Sequence, residues 1–520
     1  MPKYKYFLTN MEYARNEQIK ILLELIRKNE DTVFGREHKF KEINNYDMYQ
    51  KNIPLMNSDE YLPFMDKIRN GENSVLTKEN VFLLEPTGGS SGGTKLIPYT
   101  SSLRREFLLA ICPWVVNMMN NYPGLMKGRS YWTITPKISK EDDGESEIPI
   151  GFDDDFEYFG SIGKILRFNS VIPSKINELT EINRFKHITS CCLLSANDLS
   201  FISIWNPSLF SLFIDHIENS TPQLIKDIHD GIKGFVESSP QRAKEIEECM
   251  KLDFSQRYEA IWKELSLISC WMDGASSVHA NRLKDCFPNV QFQNKGLLAT
   301  EGVITIPWKE SGGNVPAYTS HFFEFINKSG SFKLIDELKE QEEYTVVITT
   351  GSGLYRYNMG DRVKVESFYN GLPVLKFIGR EKLSDLVGEK LDDVFVSRAI
   401  ENTIKEMGIE SDFVMLAPEI KSNGGQYILY IHLNGNSEKY NLLDLRSKLE
   451  LRLMDNFHYR HALEVEQLTP LKIFLINNDA KNVYTNRCIS EGQKLGDVKS
   501  AYLDNRHGWI DYFQGELLNI

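Results

Sequence analysis

At 520 residues the chain is too long for one hydrophobic core, so two or three domains are expected. Hydrophobic residues make up 41% and charged residues 25%, an ordinary globular balance that excludes a disordered or fibrous chain. The net charge of −12 weighs against broad binding to nucleic acid or to an anionic membrane.

Residues 10–29 carry a helical stripe of Ile19, Leu22, Leu23, Leu25 and Ile26. No long apolar segment precedes it, and no later run has the length of a membrane span. Residues 81–84 form a short apolar run that predicts a buried strand, and a Gly/Ser-rich loop follows. Pro98 keeps that loop from running straight into a long helix. The charged run at 140–146 predicts a solvated loop. The apolar neighbourhood of Cys191 and Cys192 places them in the core. Helical signals dominate 221–267, and short strand-like runs follow at 290–292, 303–306, 344–348 and 374–378. Beyond Gly379 and Arg380 the texture changes. Helices are predicted at 394–406 and 442–454, with strands at 413–417 and 427–433. This alternation predicts a separate α+β domain, with a boundary near residue 380.

The seven cysteines form no C-x-x-C pair and the ten histidines show no H-E-x-x-H spacing. Free thiols in a reducing cytoplasm are therefore expected, with no zinc centre. The motif G-x-S-x-G is also absent.

Three segments carry chemistry. The first is Thr87-Gly88-Gly89-Ser90-Ser91-Gly92-Gly93-Thr94-Lys95. Glycines turn backbone N–H groups inward to form an anion nest, hydroxyls add donors, and Lys95 adds charge. The spacing is not that of the G-x-x-x-x-G-K-[ST] loop, so a standard Walker ATPase is excluded; a plain flexible loop is the ordinary alternative. The second is Lys295-Gly296-Leu297-Leu298-Ala299-Thr300-Glu301-Gly302, where Thr300 offers a phosphate donor and Glu301 a magnesium ligand. Taken alone, it reads as a turn with a surface Glu. The third is Tyr355-Arg356-Tyr357-Asn358-Met359-Gly360-Asp361, in which Asp361 can accept ribose hydroxyls or simply cap a turn. Together they predict a site for ATP and Mg²⁺. The cation needed at the reacting phosphorus is sought in the C-terminal domain, at Lys499 or Lys390. Trp132, Trp205 and Trp271 either line an acyl pocket or belong to the core.

The order of these motifs resembles the adenylate-forming superfamily, and more closely the Gretchen Hagen acyl acid amido synthetases and their bacterial relatives. The stretch from Thr87 through Lys95-Leu96-Ile97-Pro98-Tyr99-Thr100 is similar to that family's phosphate loop. Tyr355 to Asp361 is similar to its Y-R-x-x-x-G-D ribose motif, and Ala299-Thr300-Glu301 stands in the place of its Y-x-S-S-E. Leu297 replaces the family's Tyr, the loop is more glycine-rich at Gly89 and Gly93, and residues 148–160 look bacterial.

The resemblance implies an α/β fold. A large N-terminal adenylate-forming domain of mixed sheets and helices spans 1–379, and a small mobile α+β domain spans 380–520, hinged at Gly379 and Arg380. It implies activation of a carboxylic acid by Mg-ATP to an acyl-adenylate, then amide formation with an amino acid. Transfer to a thiol and a non-catalytic regulatory protein are the competing readings. Partners are small molecules, with no nucleic acid and no membrane, and the chain is taken as a monomer or weak dimer.

Overall fold

The protein is described from a computed structural model. It describes residues 2–87, 95–133, 148–151, 163, 167–179, 181–273, 276–380, 383–384, 386–387, 389, 391–421, 424–435, 439–491, 493, 495, 498 and 501–518. The expected charged loop at 140–146 lies outside these residues. So do Gly88, Gly89, Ser90, Ser91, Gly92, Gly93, Thr94, Lys390 and Lys499. The chain divides into two compact units, the first taking most of the chain up to Phe377 and the second consisting mainly of Ile378–Ile520.

In the first unit, helix α1 (Ala14–Lys28) buries Leu22, Leu25 and Ile26 from the expected stripe. Strands β1 (Leu83–Thr87) and β2 (Lys95–Tyr99) pair antiparallel, with Thr87 opposite Lys95. Pro98 is thus accommodated in a strand, and helix α2 (Ser101–Asn121) starts just after it. Thr100 caps α2, its Oγ1 accepting from the Leu103 N–H at 3.1 Å.

Strands β3 (Arg129–Trp132), β4 (Leu199–Ser203), β5 (Leu267–Cys270) and β6 (Gln291–Asn294) form a parallel sheet in that order. Helices α3 (Ile182–Ser195) and α4 (Pro207–Asp230) flank β4 in sequence. Cys191 and Cys192 are buried in α3, as expected. The long helical stretch ends earlier than its composition suggests, because Leu267 already opens β5.

After β6 come a short hairpin, β7 (Leu298–Ala299) with β8 (Gly302–Val303), and a second hairpin, β9 (Thr305–Trp308) with β10 (Gly313–Pro316). Strands β11 (Phe322–Asn327), β12 (Phe332–Lys333), β13 (Glu343–Thr349), β14 (Tyr357–Tyr369) and β15 (Leu372–Arg380) then build a sheet in the order β12-β11-β13-β14-β15.

In the second unit, β16 (Leu383–Ser384) pairs with β17 (Leu391–Asp392). Asp392 caps helix α5 (Asp393–Met407), which ends at Gly408 with φ +60°. Strands β18 (Ser411–Lys421) and β19 (Gly424–Leu433) form a hairpin. After helix α6 (Leu442–Leu453), β20 (Leu468–Ile476) adds parallel to β19, and β21 (Gly515–Leu518) adds antiparallel to β20. Leu416, Leu429, Ile431, Leu445, Leu449 and Ile473 form part of its core, covering the sheet with the helices. Gly379 has φ +143°, and a Cβ there would lie 2.5 Å from Val394 Cγ2, so only glycine fits. Among the described residues no helix is long and apolar enough to cross a membrane.

Candidate functional site

The Gly/Ser-rich segment joins β1 to β2, so its two ends are fixed by the Thr87–Lys95 pair. Cross-strand partners in an antiparallel pair share a face. Leu83 and Glu85 therefore lie on one face with Tyr99 and Ile97. Tyr99 donates its phenol O–H to the Thr300 carbonyl oxygen at 3.1 Å, tying this hairpin to the Thr-Glu motif. Burial raises the Tyr99 phenol well above its usual pKa, and the nearby carboxylates of Glu85 and Glu301 raise it further.

Thr300 and Glu301 are the two residues at the tip of the β7–β8 hairpin, between the pairs Leu298–Val303 and Ala299–Gly302. The expected turn is therefore realised, but Glu301 is buried in it rather than on the surface. Its walls leave little room. A Cβ on Gly296 would sit 2.0 Å from the Thr305 carbonyl oxygen, and one on Gly302 would sit 2.9 Å from His321 Nε2.

A hydrogen-bonded relay fixes this hairpin from behind. The Val303 N–H donates to His321 Nε2 at 3.1 Å. With Nε2 accepting, the imidazole proton resides on Nδ1, which donates to Glu106 Oε2 at 2.9 Å. Glu106 also accepts from the Gly351 N–H at 2.9 Å, while Thr100 Oγ1 donates to the Gly351 carbonyl oxygen at 3.0 Å. The relay thus joins two places picked out in the sequence, Thr100 after the phosphate loop and the Thr-Glu hairpin, through the backbone of Gly351. Glu106 and His321 were not singled out by the sequence. Glu106 does fall on the buried stripe of α2 beside Leu103, Phe107 and Ala110, where a carboxylate is out of place without a partner.

The third motif divides its labour. Arg356 adopts φ +47° and is buried; its Nε lies 3.0 Å from Glu324 Oε2 and its Nη1 donates to the Ile53 carbonyl at 2.8 Å. Tyr355 is fully buried, its O–H donating to the Leu76 carbonyl at 3.0 Å. These two residues build the scaffold. Asp361 stands in a bulge: Val346 faces Met359, Gly360 and Asp361, between the pairs Thr345–Arg362 and Val347–Asn358. Gly360 supplies the turn with φ +68°, and Asp361 is buried.

The donor set suits magnesium. Glu301 is a hard oxygen donor, only 8% exposed, and the Glu85 carboxylate acts on the same phenol, so negative charge converges where a divalent cation has its use.

Lys295, the first residue of the second motif, has no role that its place in the sequence announces. Its ammonium is 3% exposed and donates to Ser203 Oγ at 2.7 Å. It lies 4.9 Å from the Trp114 ring, 4.8 Å from Trp205 and 5.9 Å from Trp132. Trp205 in turn lies 5.8 Å from Trp271. Two of the tryptophans weighed as pocket or core, Trp132 and Trp205, thus face the Lys295 ammonium, and Trp271 packs beside Trp205. Burial lowers the Lys295 pKa to about 7. Because the unfolded chain binds this proton more tightly, stability should rise with pH between about 7 and 10 and reach its low level below 7. Urea midpoints measured across that range should show this rise in the wild type and a smaller one in Lys295→Met.

The sequence matches the GH3 family N-terminal domain over residues 3–292, the central domain over 315–380 and the C-terminal domain over 394–507. Indole-3-acetic acid-amido synthetase GH3.4 of Arabidopsis thaliana is 22% identical, the alignment covering 94% of this chain and 89% of that protein. Indole-3-acetic acid-amido synthetase GH3.8 of Oryza sativa subsp. indica is 23% identical over 93% and 87%. Among solved structures, the GH3.15 acyl acid amido synthetase superimposes with a TM-score of 0.83 at 18% identity, over 99% of this chain and 97% of its own. A 2-hydroxyisobutyryl-CoA ligase shares the fold more distantly, with a TM-score of 0.52 at 11% identity over 89% and 86%.

Proposed function

We infer the function from one premise, that this chain belongs to the GH3 family. The protein is an ATP-dependent acid–amino acid ligase. The carboxylate of an acid attacks the α-phosphorus of ATP, and pyrophosphate leaves. The amine of an amino acid then attacks the acyl carbon of the adenylate, releasing AMP and a proton and leaving an amide. The tie between Tyr99 and Thr300 carries this reading, because it joins the strand that follows the Gly/Ser-rich segment to the Thr-Glu hairpin.

In this assignment Thr87, the segment 88–94 and Lys95 hold the phosphates together with Thr300. Glu301 holds Mg²⁺, which supplies charge neutralisation on the phosphate oxygens. Asp361 accepts the ribose hydroxyls. Lys499 steadies the charge that builds on the α-phosphate, with Lys390 as the second candidate. Gly379 and Arg380 form the hinge; the φ of Gly379 and the contact a Cβ would make with Val394 support a glycine requirement there.

The test is a panel of carboxylic acids with Mg-ATP and hydroxylamine, read by mass spectrometry, and then a panel of amino acids. Acid-dependent hydroxamate and pyrophosphate, followed by an amide with one class of amino acid, are the expected results. ATP binding without any product would overturn the assignment. For the lysine, Lys499→Ala is expected to slow pyrophosphate exchange at least tenfold, about 1.4 kcal/mol at the transition state, with a smaller effect from Lys390→Ala. The reverse order would exchange their roles.

A further inference from the structure

We propose that Lys295 receives a second anionic group on the carboxylic acid substrate, so that the acid this enzyme activates is a dicarboxylic acid. The inference rests on the ligase reading and adds a substrate class to it.

The argument begins with placement. Trp132 ends β3, Ser203 ends β4 and Cys270 ends β5, while Lys295 directly follows β6. These are the carboxyl ends of neighbouring parallel strands, where open α/β sheets take their ligands. Lys295 also stands at the base of the β7–β8 hairpin whose tip is Thr300 and Glu301. An acid lying along this hairpin presents one end to the tip, where activation occurs, and the other to the ammonium.

Hydrogen-bond accounting comes next. An ammonium has three donors. One goes to Ser203 Oγ, and the ammonium otherwise faces the rings of Trp114, Trp132 and Trp205. Among the described residues no carboxylate lies within ion-pair distance of it. The Cys270 thiol, whose backbone carbonyl accepts the Lys295 N–H at 2.9 Å, is pushed up to about 12 by burial and stays neutral. Ring faces offset part of the cost of a buried charge but do not replace an anion. A core without a ligand to hold would be better served by a methionine here. Trp205 and Trp271 are only half-buried.

The reacting carboxylate is the poorer partner. It becomes an uncharged acyl group when the adenylate forms, so pairing with Lys295 would favour the unreacted acid over the transition state. A second carboxylate keeps its charge through both half-reactions and positions the chain of the acid throughout.

The experiment uses purified full-length wild type, Lys295→Met and Ser203→Ala. Matched acids are compared: terephthalate with 4-methylbenzoate, and adipate with hexanoate. The first readout is acid-dependent ATP–pyrophosphate exchange. The wild type should prefer one of the diacids over its match at least tenfold in kcat/KM. Lys295→Met should lose that preference through KM for the acid, with the monoacid changed less than twofold. Ser203→Ala, which keeps the charge, should retain the preference. The second readout needs no catalysis. Titration of the acid without ATP should quench tryptophan fluorescence in the wild type and not in Lys295→Met. Quenching by a diacid that depends on Lys295, without exchange, would uphold the site and overturn the ligase reading. Exchange with no diacid preference would overturn the site and uphold the ligase. Equal KM increases for monoacids and diacids, or an effect confined to the amino acid, would also overturn the site.

Discussion

Glu301→Gln is expected to lower acid-dependent ATP–pyrophosphate exchange by about 10²–10³-fold, the usual loss when one group that stabilises transition-state charge is removed. Glutamine keeps the size and loses the anion, so the apparent magnesium requirement should rise as well. The hairpin itself should survive. Its position depends on the Tyr99 bond to the Thr300 carbonyl and on the Val303 N–H to His321, neither of which involves the Glu301 side chain. Unchanged melting with collapsed exchange is therefore the signature to look for. Exchange within threefold of the wild type at limiting magnesium would move the metal site away from Glu301.

Glu324→Ala is expected to cost about 3–5 kcal/mol of stability, the typical effect of removing one member of a buried ion pair. Glu324 is 1% exposed and Arg356 is 3% exposed, so the guanidinium would be left uncompensated in the core. The Tyr46 phenol would also lose its acceptor, Glu324 Oε1 at 2.9 Å. Burial holds the Glu324 carboxyl above its ordinary pKa even though Arg356 pulls it down. Burying this pair therefore carries a desolvation cost. The double variant Glu324→Met with Arg356→Met should accordingly recover most of the loss, because two apolar side chains leave no stranded charge. Urea denaturation of the two single variants and the double variant checks this. A double variant as unstable as Glu324→Ala would show that the pair contributes more than it costs to bury.

The site was legible where chemistry is local in the chain. The apolar run at 81–84 marked the start of β1 ahead of the Gly/Ser-rich loop, while its partner β2 was not foreseen, and Gly302 after Thr300-Glu301 marked a tight turn. The strands expected at 344–348 and 374–378 lie within β13 and β15. The Lys295 cluster was not legible, because its rings come from α2, from the end of β3 and from the residue that follows Ile204 after β4. Nothing in a single sequence says that such distant tryptophans face one ammonium. The Glu106–His321 bond likewise spans 215 positions. Arg356 misleads in the opposite way: it belongs to a motif read for ribose, yet its guanidinium is turned into the core by a left-handed backbone at φ +47°.

The β7–β8 hairpin has two residues in each strand and is too short to hold its own shape. Its geometry is borrowed from Tyr99, His321 and Glu106, which belong to other elements. The ammonium of Lys295 is held by a different bond, to Ser203 Oγ. In evolutionary terms, the reaction chemistry and the choice of acid are carried by separable sets of residues. Lineages can exchange tryptophans, or the lysine itself, and acquire new acids while the catalytic turn stays where it is.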